Sequence, residues 1–226
     1  MVFVEGCYVL RQPLERVTAQ LAIDGLEHLR AVLERHGRAL ILTAHLGNWE
    51  LLTLAPAITG YPLTVVARAL DSPVLDAWAD RLRRTAGVEV IDKREALRPI
   101  LDALRRGRLV GVLLDQNASR REGVFVPFFG RAASTSRAVA VLALRTRTPV
   151  IPAFTRRLAP GRHQITIQPA LPLPASAGDE AVVALTAQCT AAIEAAVRET
   201  PDQWLWAHDR WRTRPAGEKS GEKARQ

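Results

Sequence analysis

The sequence predicts a single α/β domain, a mostly parallel central sheet flanked by helices. Three observations predict it. Short continuous apolar runs such as ALILTA (residues 39–44) and LVGVLL (residues 109–114) suit strands buried on both faces. Amphipathic stretches at helical spacing separate those runs, and strand alternating with helix is the signature of a parallel sheet with right-handed crossovers. Finally, 226 residues with 48% apolar and 24% charged side chains can form one real core, and no Pro/Gly-rich linker divides the chain.

The elements follow in order. Residues 1–20 read as a lead-in. MVFVEGCYVL is apolar, but Glu5 comes early and no basic region or cleavage site marks a signal peptide, so the segment resembles the stump of something longer. Residues 21–215 form the domain. Within it, 39–44 is the first strand, 47–58 a helix, 63–67 a strand and 71–85 a helix closed by Gly87. Residues 88–91 are a third strand, 94–106 a helix closed by Gly107, and 109–114 a fourth strand. The rhythm continues with a strand at 124–129, a helix at 136–145, strands at 149–154 and 163–169, and an Ala-rich helix at 179–199 ended by Pro201. Residues 216–226, rich in Lys, Glu and Gly, read as a disordered tail. No stretch approaches the roughly 18–20 apolar residues of a membrane span.

The net charge is +8, and 28 of the 31 basic residues are arginine. Guanidinium forks match phosphate oxygens, so this charge suits anionic lipid or nucleic acid; it also suits a GC-rich genome that favours arginine codons. Cys7 and Cys189 form neither a metal spacing nor a disulfide framework, which fits the cytosol or a cytosolic membrane face. His28, His36, His163 and His208 make no recognisable metal set with His45.

In open parallel sheets the ligand crevice lies beyond the carboxyl ends of the strands. Three polar clusters fall there: His45-Leu46-Gly47-Asn48-Trp49-Glu50 after the first strand, Arg68 after the second, and Asp115-Gln116-Asn117 after the fourth. On one helix His45 and Glu50 would point about 140° apart. They meet only if His45 stays in the loop and Glu50 sits on the first helical turns, and Gly47 and Asn48 allow that turn. A carboxylate on one ring nitrogen makes the other a better base, able to deprotonate an alcohol attacking a carbonyl. GxSxG is absent and no cysteine accompanies the histidine, so the hydroxyl would attack an already activated thioester directly.

HLGNWE resembles the HX4(D/E) motif of the lipid A lauroyl and myristoyl acyltransferases and of their relatives that acylate phosphatidylinositol mannosides. The resemblance runs in order through VVARALDSPVLDAW, KREALRPILDALRRG, LLDQN, GVFVPFFGRAASTS and PDQWLWAHDRW, roughly residues 20–215. It implies a fold like that of the glycerol-phosphate acyltransferases, with His45 the general base and Glu50 its partner. Arg68 would contact the lipid head group, and Asn48, Asp115 and Gln116 would line the cleft. Phe128, Phe129 and Gly130 would shape the pocket floor, with Ser134 and Thr135 near the phosphates. The donor would be acyl carrier protein or a coenzyme A thioester, with no metal or other cofactor. The acceptor would be a membrane glycolipid or a lysophospholipid, met at the cytoplasmic face of the bacterial inner membrane.

Two departures bear on this. The family usually begins with a hydrophobic membrane helix that this chain lacks. Either the sequence is a fragment of a protein anchored by that segment, or the protein docks peripherally on an anionic membrane surface, which Trp204, Trp206, Arg210, Trp211, Arg212 and Arg214 would meet. The FPEGTR of the glycerolipid branch is also missing, which favours a larger glycolipid over glycerol phosphate. The contrasting reading is a non-catalytic basic module that binds membranes or nucleic acid, which would need no His–Glu pair.

Overall fold

The computed structural model describes residues 14–19, 21–67, 72–93 and 96–217. Its strands are β1 (Leu21–Asp24), β2 (Ala39–Thr43), β3 (Leu63–Ala67), β4 (Glu89–Asp92), β5 (Leu109–Leu113), β6 (Gly123–Phe128), β7 (Arg131–Ser136), β8 (Val150–Ala159) and β9 (Arg162–Ile167). The α-helices are α1 (Leu14–Thr18), α2 (Leu26–His36), α3 (Ala55–Thr59), α4 (Pro73–Thr85), α5 (Leu97–Arg105), α6 (Ala138–Thr146) and α7 (Asp179–Glu199). Short 3-10 helices occupy Trp49–Leu54 and Pro201–Gln203.

Seven strands form one sheet in the order β1-β9-β8-β2-β5-β3-β4. From β8 to β4 every pairing is parallel, while β9 pairs antiparallel with β8, so β9 and its parallel neighbour β1 run against the rest. The expected parallel core is therefore present with a reversed edge. Strands β6 and β7 form a separate antiparallel hairpin that packs on α7.

Side-chain alternation along β2 and β5 divides the core. Leu40, Leu42 and Val110 join α5, α6 and α7 on one face. Ala39 and Leu109 join α1, α2 and the first 3-10 helix on the other. Helix α7 is long and apolar enough to cross a membrane by length and composition, contrary to the expectation that no stretch would be. Half of it is nevertheless buried inside the fold, through residues such as Leu185, Cys189, Ile193 and Val197.

Several elements depart from the sequence reading. The helix expected at 47–58 breaks into 3-10 and α segments. Pro56 has no N–H to give the Leu52 carbonyl, which accepts instead from Ala55 in the tighter i→i+3 pattern. Strand β7 goes unpredicted because GRAASTS lacks bulky β-branched runs. It forms because Phe129 and Gly130, both at positive φ, make a two-residue turn that carries the chain back along β6. Strand β1 and helix α2 go unpredicted as well. Of the predicted tail, all but residues 216 and 217 lie outside the described residues, as does most of the lead-in.

Candidate active site

β2 and β5 are neighbours paired Ala39 with Leu109 through Thr43 with Leu113. Continued two residues past the sheet, this register sets His45 opposite Asp115. There the His45 N–H donates to Asp115 Oδ2 at 3.0 Å, and His45 Nδ1 lies 2.9 Å from Asp115 Oδ1. Trp204 Nε1–H donates to Oδ2 at 2.8 Å. Burial alone would raise the Asp115 pKa. The hydrogen bond and charge of His45, with the bonds from Trp204 and the His45 backbone, outweigh burial and hold it below the ordinary 3.8. An ionised carboxylate only accepts, so Nδ1 carries the ring proton and Nε2 is left as a base. The His45 side chain keeps 18% of its exposure against 2% for Asp115, so the imidazole is open to solvent and its partner is not.

The loop holding His45 is fixed on two sides. Thr155 Oγ1 on β8 donates to the Leu46 carbonyl at 2.8 Å. The segment after α7 pairs with the loop as a short antiparallel bridge, Gly47 N–H to the Gln203 carbonyl and Leu205 N–H to the His45 carbonyl, both at 3.0 Å. Gly47 has φ +59°, and a Cβ there would come within 2.4 Å of the Thr155 carbonyl, so only glycine fits.

The same segment supplies two further polar groups. His208 Nε2 accepts from the Asn117 N–H at 2.8 Å. Burial lowers the His208 pKa, Asp115 opposes that, and Arg212, Arg210 and His45 add to it, so the ring favours the neutral form. Arg210 is 1% exposed, donates to the Ser134 carbonyl at 2.8 Å and to Thr135 Oγ1 at 2.5 Å, and sits 5.1 Å from the Phe128 ring centroid. Burial brings its pKa down to about 10, against the opposing pull of Asp115.

Beneath the dyad, on the face covered by α2 and the 3-10 helix, lies an apolar cleft of about 900 Å³ that includes its open mouth. Ile41, Thr43, Trp49, Val65, Gly111 and Leu113 are among its walls. Trp49, one of the cleft's walls, meets the His45 ring edge-on at 4.9 Å between centroids, so the cleft reaches the neighbourhood of the dyad. The charges in its lining are one ion pair, Glu50 to Arg83 at 2.8 Å.

The sequence model for the bacterial lipid A biosynthesis acyltransferases matches residues 1–213. The chain belongs to this family. It is 28% identical over 211 residues to the lipid A biosynthesis lauroyltransferase of Escherichia coli K12, covering 91% of this chain and 66% of that one. It is 25% identical over 195 residues to a lipid A biosynthesis acyltransferase of Haemophilus influenzae, covering 86% and 60%. The chain thus spans just under two thirds of the length of these relatives. Among solved structures, the 1-acyl-sn-glycerophosphate acyltransferase PlsC of Thermotoga maritima aligns with a TM-score of 0.49 and 12% identity, over 90% of this chain and 80% of that one.

In this family member the residues singled out from sequence divide. His45 and Asp115 come together, with Gln116 exposed beside them. Glu50 does not meet His45. The 3-10 helix carries it into the cleft wall, where both its oxygens take bonds from Arg83, and the carboxylate facing His45 comes from the loop after the adjacent strand. Phe128 is fully buried against Trp204 and Trp211 with Phe129 packed beside it, Gly130 is exposed in the turn, and none of the three lines this cleft. Ser134 and Thr135 are also fully buried, and Arg210 donates to the Ser134 backbone carbonyl and to Thr135 Oγ1. Asn48 is buried at the head of the 3-10 helix. Arg68 lies outside the described residues. Of the C-terminal set, Trp204 and Arg210 are buried, while Trp206 is 53% exposed.

Sequence reasoning missed Asp115 as the orienting carboxylate and Trp204 as its donor. A signal was present: ALILTA and LVGVLL are equal in length, and each ends directly before a titratable residue.

Proposed function

We propose that this chain transfers a fatty acyl group from a thioester to a hydroxyl of a membrane glycolipid resembling a lipid A precursor. The observation that carries the reading is the His45–Asp115 pair at the head of an apolar cleft. His45 Nε2 takes the proton of the acceptor hydroxyl as its oxygen bonds to the thioester carbonyl carbon. Asp115 stabilises the imidazolium that forms. The tetrahedral intermediate collapses, the carbon–sulfur bond breaks, and the leaving thiolate takes the proton from His45. No group beyond the thioester co-substrate takes part. The cleft houses the acyl chain, since an apolar track free of charge except at one ion pair suits a hydrocarbon.

Acyl carrier protein or coenzyme A is the donor. The net charge of +8 supports both, one partner being acidic and the other phosphorylated. Trp206 and Leu205, exposed by 53% and 37% beside the dyad, with exposed Arg212 nearby, support docking at the cytoplasmic face of the inner membrane. The family's named activity supports a lipid A-like acceptor.

Purified protein given acyl-thioesters and a lipid A precursor should yield an acylated product by mass spectrometry. His45→Ala should lower turnover by about 10²–10⁴-fold. A variant that turns over at the wild-type rate removes the general-base assignment.

A further inference from the structure

Gly111 sits in the middle of β5, between Ile41 of β2 and Val65 of β3. A glycine inside a central strand weakens the sheet, because it orders a flexible residue and contributes no side chain. Its usual justification, a positive φ, is absent here. A Cβ at 111 would meet Val65 Cγ1 at 3.5 Å and Leu63 Cδ1 at 3.7 Å, ordinary contacts, so no neighbouring atom excludes a side chain. What glycine provides is the space beyond the Cβ, and that space is the cleft.

The register shows where this space lies. Thr43 and Leu113 form one row of cleft-lining residues two positions before the dyad. Ile41, Gly111 and Val65 form the next, and Leu109 with Leu63 the last. At about 3.3 Å per residue the rows are about 7 Å apart, so the track from the first row to the last is about 13 Å long, with Gly111 halfway. The β-branched Ile41 and Val65 stand on either side of Gly111 in this row, and residues of all three rows line the one cleft.

We infer that Gly111 sets the length of acyl chain this protein accepts, by leaving a notch between Ile41 and Val65 through which the chain reaches Leu109 and Leu63. The inference rests on the proposed acyl transfer and names the residue that tunes it. A larger side chain at 111 fills the notch and stops the chain one row below the dyad.

The test compares wild type, Gly111→Ala and Gly111→Leu, with Val112→Ala on the opposite sheet face as a control for general weakening of β5. Turnover is measured on octanoyl, lauroyl and myristoyl thioesters. Calorimetry of the matching free fatty acids measures binding without turnover, and circular dichroism checks the fold. Gly111→Leu should lower the rate on the longest chain the wild type uses, relative to its own octanoyl rate, by about tenfold or more, since surplus methylenes in a filled pocket are rejected. Gly111→Ala should show the same shift, smaller, and Val112→Ala none. An unchanged length profile in folded Gly111→Leu overturns the inference while leaving acyl transfer intact. Wild type that turns over no thioester removes the functional reading, and the fatty-acid arm then decides Gly111 alone: equal binding of long chains by wild type and Gly111→Leu overturns it.

Discussion

At the level of single residues, Asp115 and Glu50 are both buried carboxylates, and hydrogen bonds assign them different partners. Asp115 receives the His45 ring and backbone together with Trp204, whereas Glu50 is given wholly to Arg83. Asp115→Asn should therefore lower kcat by about 10²–10⁴-fold without changing the melting temperature much, because an amide can donate to Nδ1 and select the wrong tautomer. Glu50→Gln leaves Arg83 without its charge partner and should cost about 3 kcal/mol of stability, read as a lower thermal midpoint. Kinetics and calorimetry on the two variants separate these roles; a collapse of kcat in a Glu50→Gln protein that melts like wild type would reverse the assignment. The sequence suggested the wrong partner because closeness in the chain, five residues, stood in for closeness across two parallel strands.

At the level of elements, the site is a loop clamped from both sides. Its one conformational demand is Gly47, whose positive φ and close approach to the Thr155 carbonyl are both unavailable to other residues. Gly47→Ala should cost about 1–3 kcal/mol, and activity should fall together with stability because the loop that shifts is the one carrying His45. Chemical denaturation alongside an activity assay checks this, and full activity in a protein of native stability would mean that the clamp is loose. Elements with strong periodicity were legible from sequence, and α7 was placed at its observed limits. The 3-10 segment was not, because its cause is one missing N–H at Pro56. Strand β7 was not, because Ala, Ser and Thr carry little strand signal until the Phe129–Gly130 turn pairs them with β6.

At the level of the whole molecule, two sheet faces carry different duties. One is filled by α5, α6 and α7, and the other keeps the cleft. That strands would be parallel and that polar clusters would gather at their carboxyl ends could be read from the chain. The order of strands could not, since which strand lies beside β2 is decided by packing across the sheet; the partner of His45 followed from that order. The exposed Trp206 and Leu205 lie beside the dyad, so the proposed membrane docking would turn the site toward the lipid. Sedimentation with vesicles containing anionic lipid should recover the wild-type protein, and Trp206→Ala should reduce the bound fraction several-fold while leaving turnover of detergent-dispersed acceptor unchanged; equal sedimentation of both proteins would assign docking to another surface.

The bond from Trp204 to Asp115 spans 89 residues of chain. A ribosome that has already made both halves of the dyad still has that stretch to translate before the indole can reach the carboxylate. Synthesis of the reactive groups and their arming are thus separate events, and a nascent or prematurely halted product holds the histidine and the aspartate without the clasp that orients them.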